Sequence, residues 1–315
     1  MKQCSVCSSV NTQHFLAYYD DRYGYPGTFQ ISTCNQCRHK YLEESFTPEQ
    51  LTNLYTNYYP RTTFDINKYK PLHEIKGFLS WLNGEKRAYC WVPPNVRVLD
   101  IGCGFGETLG YHANRGCDVY GVEADENIRR VADKFGFKVH VGLFDPNIYE
   151  PAFFDYVTLD QVIEHVDDPI KTMEGISKVL KPNGLAILST PNSNGWGAKL
   201  FGRKWIHWHI PYHLQHFSIE SMKIAAERTG MKLEKVKTIT SSEWLCYQII
   251  HLFTRHKIGT PSMFWSPLIK RTIGDKIILS GIVGFHRITK INHLITRIFD
   301  TLGIGDCKLY FLRKQ

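Results

Sequence analysis

Residues 98–109, Val-Leu-Asp-Ile-Gly-Cys-Gly-Phe-Gly-Glu-Thr-Leu, decide the fold of this chain. An apolar strand runs into three alternate glycines, and a helix start follows directly. Glycines at positions 102, 104 and 106 allow the backbone to turn tightly and to approach a ligand closely. Asp100 places a carboxylate at the carboxyl end of the strand. The stretch therefore predicts a nucleotide-binding turn in an α/β fold.

The spacing of the glycines distinguishes between two kinds of nucleotide cofactor. A dinucleotide site needs G-x-G-x-x-G and holds its pyrophosphate at the helix N-terminus. Position 107 is Glu, which would repel a pyrophosphate. The G-x-G-x-G of this chain suits S-adenosylmethionine, which has a cationic sulfonium and no phosphate. The turn residues expected to contact this cofactor, or its product S-adenosylhomocysteine, are Asp100, Gly102, Cys103, Gly104 and Gly106.

The ends of the next strands supply further cofactor contacts. Glu123 ends a second strand, where an acidic side chain can accept hydrogen bonds from both ribose hydroxyls. A third strand over 138–141 leads to apolar residues against which an adenine can pack, and a fourth strand ends at the ligand-binding edge. The predicted contacts from these strand ends are Glu123, Ala124, Leu143, Phe144, Asp160 and Gln161.

From Val98 to about Thr240 the chain resembles class I S-adenosylmethionine-dependent methyltransferases. The phrases that carry the resemblance lie at 99–106, 154–157, 164–166, 179–184 and 189–192. The resemblance implies a Rossmann-like α/β fold, with a seven-stranded, mostly parallel sheet, one antiparallel last strand and helices on both faces. It also implies a methyltransferase that transfers the methyl group of S-adenosylmethionine.

The chain is longer than one such domain of roughly 200 residues, so additional segments are expected at both ends. We predict a zinc-binding module over 1–45, an aromatic and helical linker over 46–92, the methyltransferase core over 93–241, a basic amphipathic helical insertion over 242–303 and the final strand of the core over 304–315. Within these segments we expect a linker helix over 72–91, a turn over 181–184 and a helix over 219–229 that Ser218 caps.

Two Cys-x-x-Cys pairs, separated by 26 residues, predict a structural zinc site formed by Cys4, Cys7, Cys34 and Cys37. Two disulfides or a redox pair are the alternatives. The other five cysteines are scattered singly, which favours reduced thiols in a cytoplasmic protein.

Residues 20–27 between the pairs are aromatic and of mixed charge, which disfavours nucleic-acid binding. Similar modules precede sugar C-methyltransferases and methyltransferases of polysaccharide pathways, and this resemblance implies a role at the substrate entrance.

A run of four histidines and four aromatic residues over 205–218 predicts a substrate wall with a general base. Methyl transfer to oxygen or nitrogen needs an aligned acceptor and removal of its proton. The candidate catalytic residues are His213, which matches the family's His-x-x-x-Phe-Ser phrase, His165 after the fourth strand, and His216, which alternatively packs the helix cap. The run contains no carboxylate or thiol, which disfavours a metal. Ubiquinone-pathway O-methyltransferases, which resemble this region, have Glu-x-x-Glu-His, but Gln161 replaces the first Glu.

The positive charge of the chain is concentrated in its C-terminal part. Residues 250–315 contain 11 Lys or Arg and 3 Asp or Glu, a balance of 11 − 3 = +8, which equals the net charge of the whole chain. Apolar residues recur among the cations at helical spacing. The segment 242–303 can therefore form a lid or a homodimer surface, rest on an anionic membrane, or bind nucleic acid. Its apolar stretches are too short to span a membrane.

Together these features predict a cytoplasmic enzyme that methylates a small-molecule acceptor, with a peripheral position on the membrane as the alternative location. We expect O-methylation of a glycan, a lipid-linked molecule or a secondary metabolite. The alternatives are a sugar C-methyltransferase and a non-catalytic methyltransferase-like binding module. A dehydrogenase is disfavoured by Glu107.

Overall fold

A seven-stranded mixed sheet forms the centre of the computed structural model, which describes residues 2–60, 65–74, 76–254 and 256–315. Positions 61–64 and 75 of the predicted linker lie outside the described residues. The strands of the described chain are β1 (Thr12–Tyr18), β2 (Phe29–Cys34), β3 (Lys40–Leu42), β4 (Arg97–Ile101), β5 (Asp118–Glu123), β6 (Lys138–Val141), β7 (Phe154–Asp160), β8 (Leu180–Pro191), β9 (Gln215–His216), β10 (Met231–Thr238) and β11 (Cys307–Lys314).

Helices cover the sheet and extend the C-terminal part of the chain. The described α-helices are α1 (Pro48–Asn53), α2 (Gly77–Asn83), α3 (Glu107–Ala113), α4 (Ile128–Phe135), α5 (Pro169–Val179), α6 (Trp196–Phe201), α7 (Ile219–Arg228), α8 (Glu243–Phe253), α9 (Ile273–Thr289) and α10 (Ile291–Thr301). Ser218 caps α7 as predicted, because its hydroxyl accepts a hydrogen bond from the backbone N–H of Ser221 at 3.0 Å.

The large sheet has the order β10-β11-β8-β7-β4-β5-β6. Strands β4 to β8 pair in parallel, and β11 runs antiparallel to both of its neighbours, β8 and β10. Apolar residues of β4, β7 and β8 are buried on both faces, as expected for central strands of a parallel sheet. The predicted Rossmann-like fold is confirmed. The helices α8 to α10 lie between β10 and β11, as predicted for the insertion.

Two local predictions are wrong. The turn expected over 181–184 lies inside β8. Phe154 of β7 pairs with Leu180 and Tyr156 pairs with Leu185, so the register shifts between these two pairs. Residues 181–184 therefore form a bulge in the strand. The linker helix expected over 72–91 is a short α2 followed by a separate helical turn over 88–91. Gly84 ends α2 in a left-handed conformation with φ +72°, which glycine adopts without strain.

The N-terminal segment pairs with a later part of the chain. Strands β1, β2 and β3 form a second sheet whose fourth strand, β9, comes from the segment after β8. In this pairing Lys40 faces His216 and Tyr41 faces Gln215. Aromatic residues of both segments share one core. The histidine-rich segment is therefore held between the N-terminal sheet and the large sheet. No described helix combines the length and the apolar content that a membrane span needs.

Candidate functional site

The glycine turn has the backbone that its sequence predicts. Gly102, Gly104 and Gly106 all have positive φ values, of +74°, +57° and +79°. At Gly102 an added Cβ would clash with the side chain of Val162, in the loop after β7. Around Gly104 the space is open, with no atom within 4 Å of the position of a Cβ. The turn therefore presents bare backbone to a ligand at the carboxyl end of β4.

Asp100 is buried beneath this turn. One carboxylate oxygen accepts a hydrogen bond from the hydroxyl of Thr158 at 2.6 Å, and the other accepts one from the hydroxyl of Thr108 in α3. Burial raises the pKa of Asp100 to about 6, and the charges of Asp160 and Glu123 act in the same direction. The carboxylate thus holds α3 against β7, and its contact with the cofactor stays a prediction.

Glu123 supports the turn from the neighbouring strand. Its Oε2 accepts a hydrogen bond from the backbone N–H of Gly104 at 2.9 Å, and its Oε1 accepts one from Asp125 N–H at 2.9 Å. Each oxygen retains acceptor capacity, because a carboxylate has about four acceptor sites. Glu123 is therefore placed to accept hydrogen bonds from ribose hydroxyls beside the glycine turn.

The remaining predicted cofactor residues differ in accessibility. Leu143 is 83% exposed beyond β6, and Ala124 is exposed beyond β5. Phe144 is half-buried and packs against Gly175 of α5. The Cys103 side chain faces the core beside β5, which leaves its backbone as the part near the turn. Of these apolar side chains, Leu143 has the open surface that an adenine needs.

A cavity of about 710 Å³ opens at the same edge of the sheet, over the ends of β7, β8 and β11. Its walls come from the loop after α2 and from all three insertion helices. The lining residues that matter for chemistry are Lys86, Arg87, Asp160, Gln161, Ser189, His207, Ser242, Glu243, Trp244, Tyr247, His286, Arg287, Lys290 and His293. The lining combines charged and polar side chains with apolar surface, including the rings of Trp244 and Tyr247, which suits a ligand that has both hydroxyl groups and an apolar part.

The loop after β7 connects this cavity to the glycine turn. Asp160 and Gln161 line the cavity, and Val162 lies against Gly102. Gln161 has a positive φ of 60°, a strained conformation for a residue other than glycine. Its Nε2 donates hydrogen bonds to Ser189 Oγ at 3.0 Å and to Cys307 Sγ at 3.3 Å. The strained backbone is therefore held by side-chain contacts at the junction of the two sites.

His207 is the member of the histidine-rich run that borders the cavity. Its ring packs edge-on against Trp244, with 5.0 Å between the ring centroids. Burial lowers the pKa of His207 to about 3, so the ring is neutral near pH 7. No described residue hydrogen-bonds its ring nitrogens. His207 therefore offers a free lone pair to a ligand in the cavity.

The predicted bases His165 and His213 lie behind His207 and do not line the cavity. Nδ1 of His213 hydrogen-bonds to the carbonyl of His207 at 2.9 Å, and its Nε2 lies 3.4 Å from Nδ1 of His209. Both ring nitrogens of His213 are thus engaged. Nδ1 of His165 hydrogen-bonds to the carbonyl of Tyr212 at 3.0 Å. The catalytic roles of His165 and His213 stay predictions.

The third predicted base, His216, is buried in the second sheet. Its ring packs edge-on against Trp208 at 5.1 Å, and its backbone belongs to β9. The position agrees with the packing alternative for this residue. Its catalytic role also stays a prediction.

The fold adds a carboxylate to the histidines that the sequence run itself lacks. Glu164 is buried beside His165 and His213, and the potential ligand atoms of the three lie within 4.8 Å of one another. Burial raises the pKa of Glu164 to about 8. Such a set has the donor types that bind a transition metal. Sequence reasoning missed it because Glu164 and His213 are far apart in the chain.

The four cysteines of the N-terminal pairs converge. Their Sγ atoms all lie within 4.8 Å of one another, with 3.5 Å from Cys4 to Cys37 and 3.5 Å from Cys7 to Cys34. These separations are too long for disulfides, and all nine cysteines are free. A zinc ion with bonds of about 2.3 Å to each sulfur fits such a cluster.

The comparisons with known proteins agree with this geometry. The profile of a family described as a methyltransferase domain matches residues 64–236, more than half of the chain. The chain belongs to this family. The match covers the glycine turn, the loop after β7 and the histidine-rich segment, and it ends within β10.

Curated relatives match the central part of this methyltransferase-domain protein. The ubiquinone biosynthesis O-methyltransferase of Paraburkholderia phymatum is 34% identical over 135 residues, which are 40% of this chain and 56% of the relative. That of Hahella chejuensis is 35% identical over 135 residues, 41% of this chain and 55% of the relative. The chain spans about half the length of the curated relatives it matches.

Solved structures of methyltransferases also match. An S-adenosylmethionine-dependent methyltransferase from Archaeoglobus fulgidus is 19% identical, with a TM-score of 0.46, over 76% of this chain and 95% of that one. Phosphoethanolamine N-methyltransferase 2 of Haemonchus contortus, in complex with S-adenosylmethionine, is 22% identical, with a TM-score of 0.47, over 76% of this chain and 53% of that one.

Proposed function

We propose that this protein transfers the methyl group of S-adenosylmethionine to a hydroxyl oxygen of a small molecule, with a glycan or a lipid-linked acceptor as the substrate class. The observation that carries the proposal is the junction at Asp160 and Gln161, where a bare glycine turn and a cavity lined by polar and apolar groups meet at one edge of the sheet. Such an edge is where open α/β sheets bind ligands.

The residues at the turn suit the cofactor. Open space at Gly104 admits the amino acid tail close to the backbone, and Glu123 can accept hydrogen bonds from the ribose. Exposed Leu143 offers an apolar face to the adenine. When it is bound, S-adenosylmethionine supplies a methyl group on a cationic sulfonium. We propose that Gly104, Glu123 and Leu143 contact the cofactor, whereas Asp100 holds the turn.

The cavity residues supply the acceptor chemistry. We propose that His207 takes the proton of the acceptor hydroxyl, because its ring borders the cavity and no described residue hydrogen-bonds its ring nitrogens. Asp160 and Glu243 line the same cavity. His213, whose Nδ1 bonds to the carbonyl of His207, is proposed as a positioning residue. His165 is retained as the second candidate base.

The cysteine cluster is proposed to hold a structural zinc ion. Four sulfur ligands leave no open position on the metal, so the ion would stabilise the N-terminal sheet and take no part in the transfer. That sheet includes β9 and so supports the segment that carries His207 and His213.

Calorimetric titration of the zinc-loaded protein with S-adenosylmethionine and S-adenosylhomocysteine tests the proposal. We expect micromolar dissociation constants for both, followed by methyl transfer from labelled cofactor to hydroxyl-bearing acceptors. Absence of binding by a protein shown to be folded would contradict the proposal and would favour a non-catalytic binding module. Transfer to a carbon atom of a sugar acceptor, in place of an oxygen, would identify a sugar C-methyltransferase.

A further inference from the structure

Three helices next to the cavity, α2, α9 and α10, expose large apolar side chains. In α9 the fractional exposure is 85% for Ile288 and 66% for Ile277. In α2 it is 68% for Phe78. Exposed Trp81 of α2 and exposed Leu294 and Ile298 of α10 extend the same pattern. These six side chains are called the apolar surface below. Exposed apolar patches of this kind mark interaction sites.

The helices that carry the apolar surface are joined to one another. Arg297 of α10 donates a hydrogen bond to the carbonyl of Trp81 in α2 at 3.0 Å and another to the carbonyl of Thr240. Its ion pair with Asp300, at 2.9 Å, is buried. Lys290 connects α9 directly to α10. Helices α2 and α10 are therefore anchored together next to the end of β10, and α9 precedes α10 directly in the chain.

The charges around α9 favour anionic lipid as the partner. Residues 270–290 contain five cations, Lys270, Arg271, Lys276, Arg287 and Lys290, and all five are exposed. The single acid of this segment, Asp275, is bound in the helix cap by Thr272. Cations thus stand before, within and after a helix whose exposed side chains are largely apolar. This arrangement is typical of helices that lie in the interface of an anionic membrane.

The length of α9 indicates its orientation. Seventeen residues correspond to about 25 Å at about 1.5 Å per residue, and cations stand at both ends. A helix of this kind lies flat at the headgroup level, with its long cationic side chains reaching the phosphates. Exposed Trp81 and Phe78 are aromatic residues of the kind found on the apolar face of helices at the membrane interface.

The apolar surface and the cavity share helix α9. His286, Arg287 and Lys290 line the cavity, while Ile277 and Ile288 are exposed to the outside. We propose that the apolar surface docks on a bilayer that contains anionic lipid, which brings a lipid-linked acceptor to the cavity. The delivery of the acceptor rests on the proposed methyl transfer, whereas the docking does not.

Flotation of the full chain with vesicles tests the docking. We expect the protein to float with vesicles of phosphatidylcholine and phosphatidylglycerol, to float poorly with phosphatidylcholine alone, and to dissociate as salt is raised. Ile277→Asp combined with Ile288→Asp should weaken binding by about tenfold or more, because two inserted apolar side chains become charged. Lys270→Glu with Lys276→Glu should weaken binding to anionic vesicles only. Val10→Asp, at an exposed apolar residue of the N-terminal segment, is the matched control and should float like the wild type.

Two results would overturn the docking. One is equal flotation of the wild type and the Ile277→Asp, Ile288→Asp variant. The other is a dimer in light scattering that this variant dissociates, together with no vesicle binding, which would assign the surface to a second copy of the chain. Titration with S-adenosylhomocysteine is run on the same proteins. Vesicle binding without cofactor binding would contradict the proposed methyl transfer but not the docking. Cofactor binding without vesicle binding would contradict only the docking.

Discussion

Gln215 accepts a hydrogen bond from Nε2 of His39 at 2.9 Å, and this contact joins the cysteine-bearing sheet to the segment that carries the histidines. The same amide oxygen accepts from Ser5 Oγ at 2.8 Å. The amide nitrogen donates to the carbonyls of Val166 and Asp167, just after His165. A single side chain thus couples the loop between the first two cysteines to the loop after β7. Gln215 therefore connects the N-terminal sheet to the histidine-rich segment and to the loop after β7.

Loss of the zinc cluster should destabilise the whole protein. We expect Cys34→Ser to release the metal and to cost at least about 3 kcal/mol, which for a chain of this size lowers Tm by roughly 5 °C. Metal analysis and thermal unfolding measure both effects. Cys90→Ser, at a cysteine outside the cluster, is the control. A fully stable Cys34→Ser protein without metal would contradict a structural role for zinc.

Glu123→Ala should weaken cofactor binding. The substitution removes the acceptor of the Gly104 N–H and the expected acceptor of the ribose hydroxyls. Charged hydrogen bonds contribute about 1.5–3 kcal/mol, so the dissociation constant for S-adenosylhomocysteine should rise by roughly 10-fold to 100-fold. Calorimetry checks the value. Glu126→Ala, at an exposed acid three residues further on, should bind like the wild type.

His207→Asn should separate chemistry from binding. We expect kcat to fall by about 100-fold or more, with an unchanged affinity for S-adenosylhomocysteine, because the ring borders the acceptor cavity. Since burial holds the pKa of His207 near 3, the wild-type kcat should show no acid limb from this histidine near pH 6.5. If His165→Asn abolished methyl transfer while His207→Asn remained active, the base would be His165 and not His207.

His213→Asn measures the positioning role. Its side chain holds the carbonyl of His207, so we expect a smaller fall in kcat than for His207→Asn and little change in KM. Asparagine keeps a donor, whereas His213→Ala removes it, and partial rescue by asparagine relative to alanine is the signature of positioning. Equal losses for His213→Asn and His207→Asn would show that His213 itself takes part in the chemistry.

The free energy of unfolding should decrease as pH rises, because of the buried carboxyl of Asp306. Burial raises the pKa of this carboxyl from 3.8 to about 7 in the folded protein, while Gly197 N–H donates to it at 2.9 Å. Between pH 4 and pH 7 the unfolded chain loses this proton and the folded chain keeps it, so the free energy of unfolding decreases as pH rises. The contribution is on the order of 4 kcal/mol in total, since one pKa unit corresponds to about 1.4 kcal/mol. Denaturant unfolding at several pH values should give a shallower slope for Asp306→Asn, and parallel curves would contradict the assignment.

Much of the fold was predictable because it rests on local patterns. Apolar runs of strand length, the alternate glycines and the helix cap at Ser218 each constrain neighbouring residues, so they can be recognised in the chain itself. The Cys-x-x-Cys pairs are also local, and only their convergence had to be inferred. The prediction of one linker helix over 72–91 was wrong, because the left-handed Gly84, which packs against Thr240, ends α2 early.

The sequence by itself determined the class of fold, the glycine turn and the four cysteines, because steric limits on the backbone and side-chain periodicity act over a few residues. Only the tertiary structure decided that β9 joins the N-terminal sheet, that Asp100 is buried beneath the turn, and that His207 borders the cavity while His213 lies behind it. These relationships join segments far apart in the chain. Their geometry depends on how whole helices and sheets pack, which no local pattern encodes.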